Sequence, residues 1–367
     1  RPRIPPHRVR RPRLESRLDR GLDRGLVLVS APAGFGKTTL VSQWLEACGS
    51  PAAWLSLREE DSDLPTFLRY LIAAIRTLYP DACPETWALL QAPQLPPVAY
   101  LATMLVNELG EVPQAFVLVL DDHHRVQSQP VHQFVETLVD SVPRTLCLVL
   151  ITRVDPSLPL PALRAGQKML ELRSGDLKLT PDEIRDFFRQ SMELEVDAES
   201  LAILEQRTEG WIVGLRLAAL SLRDGGELTA LSRNLAGSDR HVTDYLLAEV
   251  LSHQPQAVQE VLLRSSILRR FCVSLLDALL DHDRSVNSRA PDGGTQAMLE
   301  WMERSGLFLV ALDDVRAWYR YHHLFRELLQ HKLRSESSEE VVASLHIRAS
   351  DWFAAEGLIA EAMHHAM

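Results

Sequence analysis

The stretch Ser30-Ala31-Pro32-Ala33-Gly34-Phe35-Gly36-Lys37-Thr38-Thr39 joins a glycine-rich turn to a lysine and a hydroxyl, the combination that cradles phosphate. An apolar run, Leu26-Val27-Leu28-Val29, precedes it, and an amphipathic helical pattern, Thr39-Leu40-Val41-Ser42-Gln43-Trp44-Leu45, follows. Strand, loop and helix in that order are the setting a P-loop needs. Backbone N–H groups of residues 33 to 38, Gly34, Phe35 and Gly36 among them, would wrap the phosphates of ATP or ADP where unsatisfied donors and the helix dipole favour an anion. Lys37 would reach the β- and γ-phosphates, and the Thr38 hydroxyl would hold Mg²⁺. The P-loop template has glycine at position 31, where this chain has alanine.

Outward from the loop, further apolar runs cover residues 53–57, 116–121, 146–151 and 169–173, with helical patterns between them. Runs apolar on both faces, alternating with helices, predict a five-stranded parallel sheet in an α/β P-loop NTPase domain. Ligands in such sheets bind beyond the carboxyl ends of the strands. Asp121 and Asp122 end one strand in a Walker B pattern, Asp121 suited to Mg²⁺ and Asp122 to orienting or deprotonating an attacking water. Arg153 follows another, where a permanent cation can sense the terminal phosphate.

The 367 residues allow two or three domains, and 46% hydrophobic with 24% charged residues describes an ordinary globular chain. A net charge of −10 opposes strong general nucleic-acid binding. Cys48, Cys83, Cys147 and Cys272 are too scattered for a zinc site or a secreted disulfide framework, which points to the reducing cytoplasm. No run is long enough to span a bilayer, and no signal core follows the basic start, so no membrane association is expected. The lack of an initiator methionine and the end inside a helical pattern suggest a piece of a longer protein. Residues 1–25, with Arg8, Arg10, Arg11, Arg13, Arg17 and Arg20, read either as a solvated lead-in helix or as an adenine-side flap.

Beyond residue 175 helices take over. Thr180-Pro181-Asp182-Glu183 is a capping box, a second helix over 211–222 is stopped by Asp224-Gly225-Gly226, apolar helices fill 255–280, and 287–294 is a polar loop. Residues 297–331 read as helix, strand, the turn Asp313-Asp314, strand and helix, a winged-helix outline. Its first helix carries Glu300 and Glu303 against Arg304, which favours an internal regulatory role over DNA binding. Adjacent histidines at His123-His124, His322-His323 and His364-His365 point apart and make poor metal pairs.

Ala31 to Thr39, Asp121-Asp122-His123-His124, Leu150-Ile151-Thr152-Arg153, Glu209-Gly210-Trp211 with Gly214-Leu215, and Tyr321-His322-His323-Leu324-Phe325 occur in this order. Together they resemble the nucleotide-binding and regulatory portion of the MalT-type large ATP-binding LuxR regulators, signal-transduction ATPases with numerous domains. The resemblance covers essentially the whole chain. It implies a nucleotide-binding domain over 1–175, a helical lid domain over 176–254, a winged-helix domain over 255–335 and the start of a helical arm over 336–367. It also implies that Lys37, Thr38 and Thr39 grip phosphate and Mg²⁺, that Asp121, Asp122 and Arg153 serve metal and hydrolysis, and that His322 touches the β-phosphate of bound ADP. His323 stands where a close relative has proline, which leaves the choice between the two histidines open; Val9 and Arg10 would line the adenine.

In the family a helical-repeat sensor and a LuxR-type helix-turn-helix follow, and neither lies within these residues. The implied function is a switch. ADP bridges the P-loop and winged-helix domains in a closed monomer, a small-molecule inducer plus ATP opens it for self-association, and slow hydrolysis resets it, with promoter DNA met through the helix-turn-helix. The alternatives are a switch ATPase with a scaffold or defence effector, or a turnover P-loop ATPase or kinase.

Overall fold

Leu26–Ser30, Phe116–Asp121 and Leu146–Thr152 are buried at every position, as strands covered on both faces must be. In the computed structural model they form, with Ala52–Ser56 and Met169–Arg173, one parallel sheet. Numbered β1 to β5 along the chain, the strands lie in the order β2-β3-β4-β1-β5. The structure describes residues 2, 9–223, 240–280, 294–313 and 315–367. Arg8, the Asp224-Gly225-Gly226 helix stop, residues 287–293 of the polar loop and Asp314 of the wing turn lie outside the described residues. Two compact units divide the chain, residues 1–178 and 179–367.

In the first unit side chains alternate across the sheet. Leu28, Leu118, Leu120, Leu148 and Leu150 share one core with Phe67, Leu71 and Ile75 of helix Leu64–Arg76, Leu101 and Leu105 of helix Val98–Gly110, and Phe134 and Leu138 of helix Gln129–Asp140. Val27, Val29, Val117, Val119 and Val149 fall on the alternate positions and are also wholly buried. Gly21 lets the backbone approach Val27 closely, since a Cβ there would lie 2.5 Å from Val27 Cγ2.

The basic start forms a helix that is solvated on one face only. Helix Pro12–Asp19 buries Leu14 and Leu18 completely. Its arginines donate to backbone carbonyls at the other end of the unit: Arg11 to Lys178 O at 2.7 Å, Arg13 to Asp176 O at 2.9 Å and Arg17 to Glu171 O at 3.0 Å. Positive charge in sequence here serves as a set of long-range hydrogen-bond donors.

The second unit is helical except for one hairpin among its described residues. The Thr180 capping box forms, with Glu183 N–H donating to Thr180 Oγ1 at 3.3 Å and Thr180 N–H to Glu183 Oε2 at 3.1 Å. Helix Ala198–Thr208 leads through a left-handed Glu209 and Gly210 to helix Ile212–Arg223, so Trp211 lies just before the helix expected to contain it. The hairpin pairs Leu309–Ala311 (β6) with Tyr319–Tyr321 (β7), Leu309 opposite Tyr321. Asp313 accepts the N–H groups of Ala317 and Trp318 at 2.8 and 2.9 Å, which pins the wing turn. Helix His323–Glu336 follows, then Glu339–Ala355 and Ile359–Ala366. Among the described residues no helix is long and apolar enough to cross a membrane.

Candidate nucleotide site

The strand register brings the site to one edge. Ser30 at the end of β1 lies between Thr152 of β4 and Arg173 of β5, and Ser56 of β2 lies beside Asp121 of β3. The phosphate loop, Asp121-Asp122 and Arg153 therefore all emerge at the carboxyl edge of the sheet, where α/β folds hold ligands.

Gly34 and Gly36 sit at φ 79° and 72°, a region that glycine alone enters freely. Gly36 caps helix Lys37–Ala47. Ala31 is not among the residues with positive φ, so the template's first glycine is replaced there without backbone strain. Phe35 is buried beneath the loop, whereas Thr39 is exposed on the helix.

Lys37 turns its ammonium back onto the loop, donating to Ala31 O at 2.7 Å and Pro32 O at 2.9 Å. Burial, and then the charge of Arg153, lower its pKa to about 8, against the pull of Asp122 and Asp121. Asp121 is 4% exposed and accepts from Thr38 Oγ1 at 3.1 Å and from Asp122 N–H at 3.0 Å. Burial, and then the neighbouring Asp122 carboxylate, push its pKa up to about 6. A hydroxyl and a carboxylate in direct contact at a helix N-terminus are hard oxygen donors of the kind Mg²⁺ takes, so these residues fit that ion.

Asp122 occupies the left-handed region at φ 57°. That turn sends its side chain away from Thr38: Oδ2 lies 3.6 Å from Arg125 Nε and Oδ1 3.9 Å from His124 Nδ1. It lines an open cleft of about 640 Å³ with Ser56, Arg58, Glu59, Glu60 and Arg125. The two carboxylates thus divide their surroundings, one buried against Thr38 and one facing a wet cleft where a water could be oriented.

His124 joins this group, although the pairing His123-His124 gave no sign of it in sequence. Burial, then the charges of Arg153 and Lys37, lower its pKa to about 3, so a neutral imidazole stands near both cations. His123 turns the other way, its ring 5.9 Å from that of His132. The two rings do point apart, and among the described residues no group of three or more His, Cys, Asp or Glu could hold a metal ion. Sequence reading also passed over Asp155, which pairs with Arg173 and accepts from Ser30 Oγ at 3.3 Å, tying the ends of β1 and β5 together.

Lys37, Thr38, Asp121, Asp122 and Arg153 are therefore neighbours at one site. Val9 and Arg10 precede the first helix, where Arg10 pairs with Glu15 at 2.7 Å. His322 belongs to the second unit. It is 3% exposed, its ring lies 5.7 Å from Phe308 and 6.1 Å from Trp211, and its Nε2 is 2.9 Å from Thr208 O. A carbonyl only accepts, so Nε2 carries the proton. His323 is more exposed, with Nε2 4.0 Å from Glu209 Oε1.

Residues 10–151 match the AAA ATPase domain family, and residues 247–341 match the MalT winged helix domain family. The serine/threonine-protein kinase PknK of Mycobacterium tuberculosis is 34% identical over 362 residues, covering 98% of this chain and 32% of that protein. The HTH-type transcriptional regulator MalT of Klebsiella pneumoniae is 35% identical over 363 residues, covering 98% of this chain and 39% of that protein. The chain therefore spans 32% to 39% of the length of these curated relatives. The Walker-type ATPase PABY2304 of Pyrococcus abyssi superposes with a TM-score of 0.60 at 14% identity, covering 90% of this chain and 98% of that one, a likeness of fold. Over nearly all of its length the chain is homologous to MalT-type regulators, and it holds a P-loop AAA ATPase domain followed by a MalT winged helix domain.

Proposed function

We propose that this chain is the nucleotide-switched core of a MalT-type regulator, resting with ADP and activated by ATP together with a small-molecule inducer. The carrying observation is the convergence of Lys37, Thr38, Asp121, Asp122 and Arg153 at one sheet edge, with Asp121 bonded to Thr38. In this reading the loop N–H groups and Lys37 bind the phosphates, giving up the bonds of Lys37 to Ala31 and Pro32. Thr38 and Asp121 hold Mg²⁺, which supplies charge neutralisation on the phosphates. Asp122 orients the attacking water and Arg153 senses the terminal phosphate.

Hydrolysis is slow and resets the switch. His322 recognises ADP in the resting state, and Val9 and Arg10 lie by the adenine. Boundaries near residues 175, 254 and 335 separate nucleotide-binding, lid, winged-helix and arm segments. Self-association accompanies the ATP state; inducer and promoter DNA are met by other parts of the protein, in the cytoplasm. Nucleotide shifts such an equilibrium only through contacts that differ between the two states, and His322 supplies one.

Similarity to PknK supports a second reading for the effector, because the same pair of domains is shared with a kinase. The gene on either side of these residues decides between a helix-turn-helix and a kinase domain. The switch itself is tested by denaturing freshly purified protein and identifying what it releases. Stoichiometric ADP, lost faster from His322→Ala, is the expected result; an empty site with rapid ATP turnover would replace the switch by a turnover enzyme.

A further inference from the structure

We infer that Glu209 and Arg320 position His322, so that recognition of ADP by this histidine depends on an ion pair that itself touches no nucleotide. The inference rests on the proposed role of His322.

Arg320 reaches Glu209 through two parallel bonds, Nη1 to Oε1 at 2.8 Å and Nη2 to Oε2 at 2.9 Å. The Glu209 side chain is only 10% exposed and that of Arg320 26%. Glu209 ends helix Ala198–Thr208 at φ 49°, a left-handed conformation that is costly for any residue but glycine. That turn aims its carboxylate at the junction of β7 with the following helix. There Oε1 also accepts the N–H of His323 at 3.3 Å, the first residue of helix His323–Glu336, where a carboxylate is favoured by the helix dipole.

One position earlier, Thr208 O accepts from His322 Nε2 at 2.9 Å. Two consecutive residues at a helix end thus hold Arg320, His322 and His323. Strand alternation explains the set: Tyr319 and Tyr321 bury on one side of β7, and Arg320 falls on the other. The bond to Thr208 O fixes one ring nitrogen, while the backbone on either side of His322 is held from Glu209, through Arg320 before it and the N–H of His323 after it. The fork of Arg320 sets orientation as well as distance, and so fixes the backbone from which His322 projects.

Release of a fluorescent ADP analogue from the purified chain tests this. Arg320→Lys keeps the charge without the fork, and Glu209→Gln keeps the shape without the charge. Each is expected to speed release by roughly tenfold, as loss of one charged hydrogen bond would. The ratio of ADP to ATP affinity falls in both, which a merely structural weakening of the fold would not produce. Neither adds to His322→Ala in the double variant, and exchanging the pair, Glu209→Arg with Arg320→Glu, restores part of the retention.

If His322→Ala itself releases ADP at the unaltered rate, the role of His322 fails and this inference with it. If His322→Ala is fast while Arg320→Lys and Glu209→Gln retain ADP, the positioning role alone is overturned. Full additivity with His322→Ala would overturn it equally, because the ion pair would then act by another route.

Discussion

Asp121→Asn should make the empty protein more stable at neutral pH while removing its response to Mg²⁺. The Asp121 carboxyl is 4% exposed, and burial followed by the Asp122 charge raises its pKa from 3.8 to about 6. A folded-state pKa above the unfolded one means that the native protein favours the protonated acid. That stability is fully present below the unfolded pKa of 3.8 and is lost as pH rises through about 6. At 1.36 kcal/mol per unit, the ionised carboxylate costs the metal-free native state about 3 kcal/mol at pH 7.5. Asparagine carries no charge yet keeps an oxygen to accept from Thr38 Oγ1 and Asp122 N–H, the two bonds Asp121 makes now. For a unit of this size, 1 kcal/mol moves Tm by about 2–4 °C, so Asp121→Asn should melt roughly 6–12 °C higher at pH 7.5. The gap should narrow to about 1 kcal/mol at pH 4.5, where most of the native carboxyl is already protonated. Calorimetric melts of metal-free protein across that range, repeated with Mg²⁺ and ADP, measure both effects. A variant less stable than the parent at pH 7.5, or a gap that does not change with pH, would refute the reasoning.

Two further outcomes follow from the same geometry. With burial and Arg153 holding Lys37 near 8, the ammonium of the empty protein discharges as pH rises through that value, so metal-free ADP binding should weaken above pH 8. Arg153→Gln removes one of the two causes and should move that alkaline limb upward; titration calorimetry at stepped pH reads it, and an unmoved limb counts against the coupling. Leu18→Ala, at a position wholly buried under the first helix, should cost about 2–5 kcal/mol in chemical denaturation, whereas a change on a solvated helix would stay within about 0.5 kcal/mol.

What the sequence disclosed and what it withheld divide by range. The strands were legible because burial on both faces writes itself as an unbroken apolar run, as in Leu146–Thr152. The phosphate loop was legible because its chemistry lies within ten consecutive residues. The roles of Arg11, Arg13 and Arg17 stayed open between a solvated helix and an adenine-side flap because their acceptors lie some 150 to 170 positions away, at Lys178, Asp176 and Glu171. No local pattern separates an arginine reaching water from one reaching a distant carbonyl. His124 was hidden for a related reason: its pKa is lowered by burial and then by Arg153 and Lys37, all of which only the folded sheet brings about.

The site gathers several features that are unfavourable in themselves: a buried carboxylate at Asp121, a left-handed Asp122 and a partly desolvated Lys37 folded onto its own loop. On the proposed reading Mg²⁺ would add opposite charge beside Asp121, and phosphate oxygens would do the same for Lys37. Binding there would relieve costs that folding has imposed, and the ligand-bound state would gain more than its direct contacts provide. A protein that must report which nucleotide it holds benefits from this coupling. A site already relaxed when empty would register occupancy weakly, whereas one strained when empty changes its conformational balance with each exchange. On the proposed reading the identity of the nucleotide is read where ADP and ATP differ, at the terminal phosphate, and Arg153, just after β4, is a cation whose charge acts on both Lys37 and His124.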